Sequence, residues 1–121
     1  MNVFDSSALI AYLRRESGSD VVREHLRAGG ACSAANWSEV AQKVQASGAD
    51  WALSRALLLS YELSVESVTR EDAEAAALLR AAGPGLSLAD RLCLALTNRL
   101  AATVWTADAA WRDLPNVQLI R

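Results

Sequence analysis

Four acidic side chains of this sequence could together bind a metal ion and support hydrolysis. Asp5 follows a short apolar run near the start of the sequence, and Asp108 follows a similar run near its end. Glu39 and Asp90 each lie at the start of a segment with helical spacing. Carboxylates are ligands for hard divalent cations such as Mg²⁺, and a bound cation can activate water for hydrolysis. If these side chains converge, they predict a metal site.

Each acid also has a local structural explanation. The spacings Asn36 to Glu39 and Ser87 to Asp90 have the layout of a capping box, with the acid at the third helical position. The other two acids could cap helices as well. Converging carboxylates raise one another's pKa unless a cation lies between them, and the only lysine is Lys43. A metal site therefore requires the four carboxylates to lie within a few ångströms of one point.

Strands alternate with helices in the pattern that must position these acids. Such alternation predicts a parallel sheet covered on both faces, with ligands at the carboxyl ends of its strands. We expect a single three-layer α/β/α domain over residues 1–121 with a short-stranded, mainly parallel central sheet, and one Pro-Gly break at Gly83-Pro84-Gly85. The expected strands are Asn2–Phe4, Ala31–Ala34, Val65–Val68, Thr103–Trp105 and Val117–Ile120; the expected helices follow Asp5 and span Asp20–Arg27, Trp37–Ala46, Asp50–Leu63, Arg70–Ala82, Ser87–Leu100 and Ala107–Asp113.

The composition favours one folded domain. The chain has 121 residues, of which 52% are hydrophobic and 21% charged, and this excludes a disordered protein. A net charge of −2 argues against gripping nucleic acid by bulk charge. Cys32 and Cys93 lack zinc-site spacing and are expected to be buried thiols. No signal peptide and no apolar run of about 18 residues are evident, so we expect a cytoplasmic protein without a membrane span.

Four stretches of the sequence occur in a fixed order around these acids: Phe4–Leu9, Asn36–Val40, Leu86–Arg91 and Thr106–Asp108. In order and spacing they resemble the four motifs of PIN domains, across essentially the whole chain. Among PIN proteins the chain most resembles the toxins of VapBC toxin–antitoxin pairs. The resemblance implies an endoribonuclease that depends on Mg²⁺ or Mn²⁺ and hydrolyses RNA phosphodiester bonds with metal-activated water.

The resemblance also implies roles for the acids. Asp5, Glu39, Asp90 and Asp108 match the family's catalytic residues, and Asp5, Asp90 and Asp108 are expected to bind the metal. Asp5 and Asp90 would be the firmest ligands, whereas Asp108 could bind through water. Glu39 could be a ligand or could orient the water as a base, and the sequence leaves this choice open.

Other residues would support the acids or contact the substrate. Ser6 and Thr106 match hydroxyl positions that hold carboxylates or waters from outside the ligand set. Asn36 matches a frequent asparagine of the second motif, which we interpret as a helix cap. Arg91, next to an acid of the third motif, is a candidate for contact with RNA. Trp111 occupies a position where these proteins carry an aromatic residue, and packing is its expected role.

The segment Trp51–Tyr61 is too apolar for one ordinary amphipathic face. Excess apolar surface on a small domain is typical of an interface. We therefore favour contact with another chain over burial of this helix in the core. The resemblance implies two such partners, a second subunit in a homodimer and a cognate antitoxin whose tail can send a basic residue into the acidic site.

Three other protein classes share parts of this pattern. A phosphoacceptor receiver domain needs an acidic pair after the first strand and a late lysine, but Ser6 and Ser7 follow Asp5. A haloacid-dehalogenase-type phosphatase needs a second Asp where Ser7 stands. The stronger alternative is a catalytically silent PIN-like module that binds RNA or protein. Binding of Mn²⁺ followed by cleavage of RNA would separate that module from an enzyme.

Overall fold

One or more helical segments separate each strand from the next in the computed structural model, which describes residues 1–82 and 85–121. Gly83 and Pro84, part of the expected Pro-Gly break, lie outside the described residues. The strands are β1 (Asn2–Phe4), β2 (Gly30–Ser33), β3 (Leu63–Glu66), β4 (Thr103–Thr106) and β5 (Val117–Leu119). The helices are α1 (Ser6–Leu13), α2 (Ser19–Arg27), α3 (Ala34–Ala46), α4 (Trp51–Ser60), α5 (Arg70–Leu78) and α6 (Leu88–Arg99), with 3-10 turns at Leu79–Ala82 and Ala109–Trp111.

The sheet has the order β3-β2-β1-β4-β5, and all of its described pairings are parallel. The expected α/β fold with a mainly parallel sheet is therefore confirmed. In the centre, Phe4 of β1 stands opposite Trp105 of β4, and Val3 stands opposite Ala31 of β2. This register brings the residues after β1, β2 and β4 to one edge of the sheet, which we call the carboxyl edge. Asp5 is the first residue beyond β1 there.

Alternation along β1 divides the core into two faces. Phe4 packs with Leu9 and Val40 on the face covered by α1 to α4, whereas Val3 packs with Cys93 and Leu96 of α6 on the other face. Successive residues of a strand point to opposite faces. A two-residue alternation of apolar side chains therefore supports both helical layers.

α6 is the central helix that its apolar sequence predicts. Its residues from Leu92 to Thr97 are all buried, and α5 packs along it. Within residues 1–82 and 85–121, no helix is both long enough and apolar enough to cross a membrane. The cytoplasmic location expected from the sequence stays a prediction.

α3 begins three residues earlier than the sequence pattern predicts. Its N-cap is Ser33, whose Oγ accepts a hydrogen bond from the Ala35 backbone N–H at 3.2 Å. Serine is a strong N-cap residue, and alanine has the highest helix propensity. The expected strand Ala31–Ala34 therefore ends at Ser33, and Asn36 lies inside the helix rather than at its cap.

Three other predictions are also wrong in their boundaries: the helix Asp50–Leu63, the strand Val65–Val68 and the helix Ala107–Asp113. α4 ends at Ser60, and β3 begins at Leu63, inside the predicted helix. Leu63 pairs with Gly30 of β2, so its burial follows from strand pairing, which a helical pattern of leucines does not reveal. The helix predicted over Ala107–Asp113 is reduced to a 3-10 turn at Ala109–Trp111.

Gly18, the N-cap of α2, is expected to tolerate no side chain. Its φ is 92°, and a Cβ there would lie 2.6 Å from the Ile120 carbonyl oxygen. Gly18→Ala should lower the free energy of unfolding by more than about 2 kcal/mol, because a left-handed non-glycine residue alone costs about 1–3 kcal/mol and the contact with Ile120 adds to that cost. Urea unfolding measures this loss. Gly48→Ala is a matched control, since Gly48 also has a positive φ (80°) but a Cβ added there would meet no atom within 4 Å; an equal loss in both variants would show that the Ile120 contact is unimportant.

Candidate active site

Asp5 is the buried centre of the site, with only 3% of its surface exposed. Its backbone N–H donates to the Trp105 carbonyl at 3.0 Å, which extends the pairing of β1 with β4. Its Oδ2 accepts hydrogen bonds from Ser7 Oγ at 2.7 Å and from Thr106 Oγ1 at 2.8 Å. Burial raises the pKa of Asp5; these hydrogen bonds lower it, and the charges of Asp90 and Glu39 raise it further.

The two hydroxyls that hold Asp5 are themselves oriented by the backbone. Ser7 Oγ accepts the Ala107 N–H at 2.9 Å, and Thr106 Oγ1 accepts the Asp108 N–H at 3.1 Å. Each hydroxyl therefore accepts a hydrogen bond from a backbone N–H and donates one to the carboxylate. The sequence pointed to Thr106 but missed Ser7, whose signal is its place two residues after the acid, in the first turn of α1.

Glu39 lies in α3 and shares one hydrogen-bond donor with Asp5. Its Oε1 accepts hydrogen bonds from Ser6 Oγ at 2.9 Å and from Asn36 Nδ2 at 3.0 Å. The same Asn36 nitrogen lies 3.5 Å from Asp5 Oδ1. Ser6 thus contacts a carboxylate, as its motif position implies. Two acids from separate elements meet at the carboxyl edge through one amide group.

Asn36 is fully buried and does not cap a helix. The expected capping box of Asn36 and Glu39 is therefore wrong, because Ser33 holds the cap position. Asn36 Oδ1 is buried without a hydrogen-bond partner among the described residues. An unsatisfied buried polar atom costs about 1–3 kcal/mol. Turning the amide would direct this oxygen at two carboxylates, so the observed orientation is the favourable one.

Asp90 lies in the first turn of α6 and is half-buried. Its Oδ2 accepts the Ser87 N–H at 2.9 Å, while its own N–H donates to Ser87 Oγ at 3.1 Å. The capping box predicted for these two residues is therefore confirmed. Asp90 is also close enough to Asp5 for its charge to raise the pKa of that residue. The Asp90 carboxylate therefore caps the N-terminus of α6 and also adds negative charge to the site.

Asp108 stands at the exposed margin of the site, where its Oδ1 accepts the Ala110 N–H at 3.0 Å. The prediction that four carboxylates meet at one point is not met. Within residues 1–82 and 85–121, no three Asp, Glu, His or Cys side chains are grouped closely enough to hold a metal ion. The structure joins Asp5 to Glu39, places Asp90 within electrostatic reach, and leaves Asp108 as a cap.

The negative charge of the site has no partner among the described residues. Their ion pairs are Arg70–Glu71, Arg99–Asp72 and Arg121–Glu16, none of which includes a site acid. The field also reaches the thiols behind the site: burial first, then the charge of Asp5, raises the pKa of Cys32 and of Cys93. Both cysteines are buried and free, as predicted. Oxygen ligands with uncompensated charge fit a hard divalent cation.

The guanidinium of Arg91 contacts α5 and is not fully exposed to solvent. It is half-buried, its Nη1 donates to the Ala76 carbonyl of α5 at 3.1 Å, and its Nε is buried without a partner among the described residues. Contact of Arg91 with RNA stays a prediction. Trp111 is buried in the core beside Val104 and Leu96, so its ring packs as expected.

The family model of the PIN domain matches residues 3–117. The chain belongs to the PIN-domain family. All four acids lie inside the matched range of this PIN domain. A search of curated protein sequences finds no match.

Solved structures share the PIN fold of this chain. A chain from a toxin–antitoxin complex of Klebsiella pneumoniae has a TM-score of 0.81 and 20% sequence identity, with 100% of this chain and 98% of that chain covered. A chain from VapBC2 of Rickettsia felis, bound to a DNA fragment from their promoter, has a TM-score of 0.71 and 17% identity, with 98% and 96% covered. At these identities the likeness shows the fold.

Proposed function

We propose that this PIN domain is a divalent-metal-dependent endoribonuclease that acts as the toxin of a toxin–antitoxin pair. The observation that carries the proposal is the buried, unpaired charge of Asp5, held beside Glu39 and within reach of Asp90. Desolvated like charges are costly without a cation. Structural neighbours in toxin–antitoxin complexes support the biological role.

Asp5 and Asp90 would hold Mg²⁺ or Mn²⁺, and Asp108, at the exposed margin of the site, would reach the cation through water. When bound, such a cation lowers the pKa of water and stabilises charge on a phosphodiester undergoing hydrolysis. Asp5 offers Oδ1, because its Oδ2 is occupied by two hydroxyls. Asp90 offers Oδ1, because its Oδ2 accepts from Ser87. Ser6, Ser7 and Thr106 fix carboxylates so that their remaining oxygens stay in place.

Only one carboxylate oxygen of Glu39, Oε1, accepts hydrogen bonds from the described residues. Ser6 and Asn36 both donate to Oε1, so no donor from residues 1–82 or 85–121 engages Oε2. This oxygen is suited either to bind the cation or to take a proton from water during hydrolysis. Its lower exposure than Asp108 places it nearer the interior of the site.

Metal removal is the experiment that tests the proposal. Purified protein treated with EDTA should leave a mixed RNA substrate intact, and added Mn²⁺ or Mg²⁺ should restore cleavage. The products should carry 5′-phosphate and 3′-hydroxyl ends, which end-labelling measures. Ca²⁺ serves as a control ion of the same charge and different coordination. Cleavage that continues unchanged in EDTA would contradict the proposal.

The apolar surface of α4 is the proposed contact for a partner chain. Leu58 of this helix is buried in the core, but Leu53, Leu57 and Leu59 are 69%, 43% and 37% exposed, so α4 also presents an apolar surface to solvent. Leu57 also borders a hollow of about 500 Å³ beside Tyr12 and Arg23. Exposed apolar patches mark interaction sites. We assign this surface to the antitoxin or to a second subunit of a homodimer.

One observation favours the alternative, a catalytically silent PIN module that binds RNA or protein. Asp90 and Asp108 each use one carboxylate oxygen to accept a backbone N–H at the start of a helical segment. Within the described part of the chain, no three acidic, histidine or cysteine side chains lie close enough together to hold a metal ion. The alternative predicts RNA or protein binding without Mn²⁺ binding. The same metal titration therefore separates the two functions.

A further inference from the structure

Asn36 joins two carboxylates that come from different parts of the chain. Its single Nδ2 lies 3.0 Å from Glu39 Oε1 and 3.5 Å from Asp5 Oδ1. An amide nitrogen carries two hydrogens, so one can point to each carboxylate. Asp5 stands at the end of β1 and Glu39 in α3, and Asn36 is the group that contacts both.

Helix capping and simple packing do not explain this residue. Ser33 already caps α3, and Asn36 is 0% exposed with its Oδ1 unpartnered among the described residues. Buried polar atoms in native proteins are nearly always paired, and exceptions call for an explanation. An apolar side chain at this position would avoid the unsatisfied oxygen. The two donors of the amide, which contact both carboxylates, are the feature that an apolar side chain could not supply.

The chemistry of an amide donor suits a site that must still attract a cation. A lysine or arginine between the two acids would hold them together but would also neutralise their charge. Asn36 is uncharged, so it orients both carboxylates while their full negative charge remains. It binds Glu39 only through Oε1 and Asp5 only through Oδ1, at the long distance of 3.5 Å. A cation that binds Asp5 Oδ1 would therefore displace only this weak hydrogen bond from Asn36.

We infer that Asn36 is a positioning residue that sets the separation and direction of Asp5 and Glu39 for a divalent cation. The inference rests on the proposed metal-dependent function. Without Asn36, mutual repulsion drives the two carboxylates apart, and the cation must bring them together when it binds. Cation affinity then falls even though no ligand has been removed.

Asn36→Leu tests this inference, because leucine has a similar size and no donor. Binding of Mn²⁺ is measured by the electron paramagnetic resonance signal of free Mn²⁺, and the rise in Tm on adding Mn²⁺ is measured in parallel. We expect Mn²⁺ affinity to fall about 10- to 100-fold, as for other groups that orient metal ligands. The metal-induced rise in Tm should shrink accordingly.

Val40→Ala is the matched control, since Val40 is a fully buried residue one turn further along α3. It should lower the Tm of the metal-free protein but leave Mn²⁺ affinity within about twofold of wild type. Asn36→Ala, which removes the donors without adding bulk, replaces the leucine variant if that one does not fold. Mn²⁺ affinity of the Asn36 variants within about twofold of wild type would overturn the inference. If wild type itself binds no Mn²⁺, the proposed function falls as well.

Discussion

Asp5→Asn is expected to abolish metal-dependent RNA cleavage and to stabilise the metal-free protein. Activity should fall by more than about a hundredfold, because even groups that only orient ligands cost about 10- to 100-fold when removed. Stability should rise because the asparagine ends the repulsion from Glu39 and Asp90 and carries no charge to desolvate. We expect a gain of about 1 kcal/mol, because stabilising single substitutions commonly contribute about 0.5–2 kcal/mol.

The pH dependence of this gain follows from the raised pKa of Asp5. The folded protein binds the proton of Asp5 more tightly than the unfolded chain, whose ordinary value is 3.8. The penalty is therefore complete above the folded pKa and disappears as pH falls towards the unfolded value. Urea unfolding of wild type and variant in EDTA, at neutral and acidic pH, measures it.

Asp113→Asn is the control for this prediction, because it removes the same charge from an exposed position. It should leave both cleavage and stability close to wild type. Full cleavage by Asp5→Asn would contradict the assignment of Asp5 as a ligand. A loss of stability in EDTA at neutral pH would show that the hydroxyl contacts of Asp5 outweigh its desolvation.

Asp72→Ala is expected to have the largest effect on stability, with a loss of about 3 kcal/mol, since each hydrogen bond to a charged group contributes about 1.5–3 kcal/mol. Asp72 is 4% exposed and binds Arg99 of α6 through Nε at 2.8 Å and Nη2 at 3.1 Å. It also closes the capping box of α5 with Thr69. One carboxylate therefore fastens α5 to the helix that carries Asp90.

The same residue makes stability sensitive to acid. Burial would raise the pKa of Asp72, but hydrogen bonds from Arg99 and Thr69 outweigh burial and lower it below its ordinary 3.8. A lowered folded pKa gives stability that is complete above the unfolded value and is lost as pH falls through the folded value. The difference between wild type and Asp72→Ala should therefore shrink in strong acid.

Glu71→Ala is the matched control, one position earlier on the same helix. Glu71 pairs with Arg70 at 3.6 Å, but both side chains are mostly exposed. Exposed pairs contribute about 0–1 kcal/mol, so this variant should unfold at nearly the wild-type urea midpoint. Equal losses from Glu71→Ala and Asp72→Ala would show that the contact with Arg99 adds nothing.

Local sequence determined much of the fold. The order of strands and helices follows from alternating apolar segments, and the capping box of Ser87 and Asp90 follows from residues three positions apart. The burial of α6 follows from its continuous apolar middle. These features depend on neighbours within one or two turns of chain, which a sequence displays directly.

The ends of helices and strands were harder to predict from the sequence where one residue fits two local patterns. Ala34 fits the end of a buried strand as well as the start of a helix, and only the contact of Ser33 with the Ala35 N–H decides for the helix. Leu63 fits the apolar face of α4, but pairing of β3 with β2 places it in the sheet. A local helix cap decided the first position, whereas a tertiary contact overrode local propensity at the second.

The sequence by itself determined which acids the protein places near the carboxyl edge, because each follows a strand or lies in the first two turns of a helix. Only the tertiary structure decided how they meet. It joins Asp5 to Glu39 through Asn36, and Asp5 to β4 through Ser7 and Thr106. Along the chain, Asp5 is 31 positions from Asn36 and 101 positions from Thr106. Hydrogen bonds over such separations depend on strand register and helix placement, which no local pattern encodes.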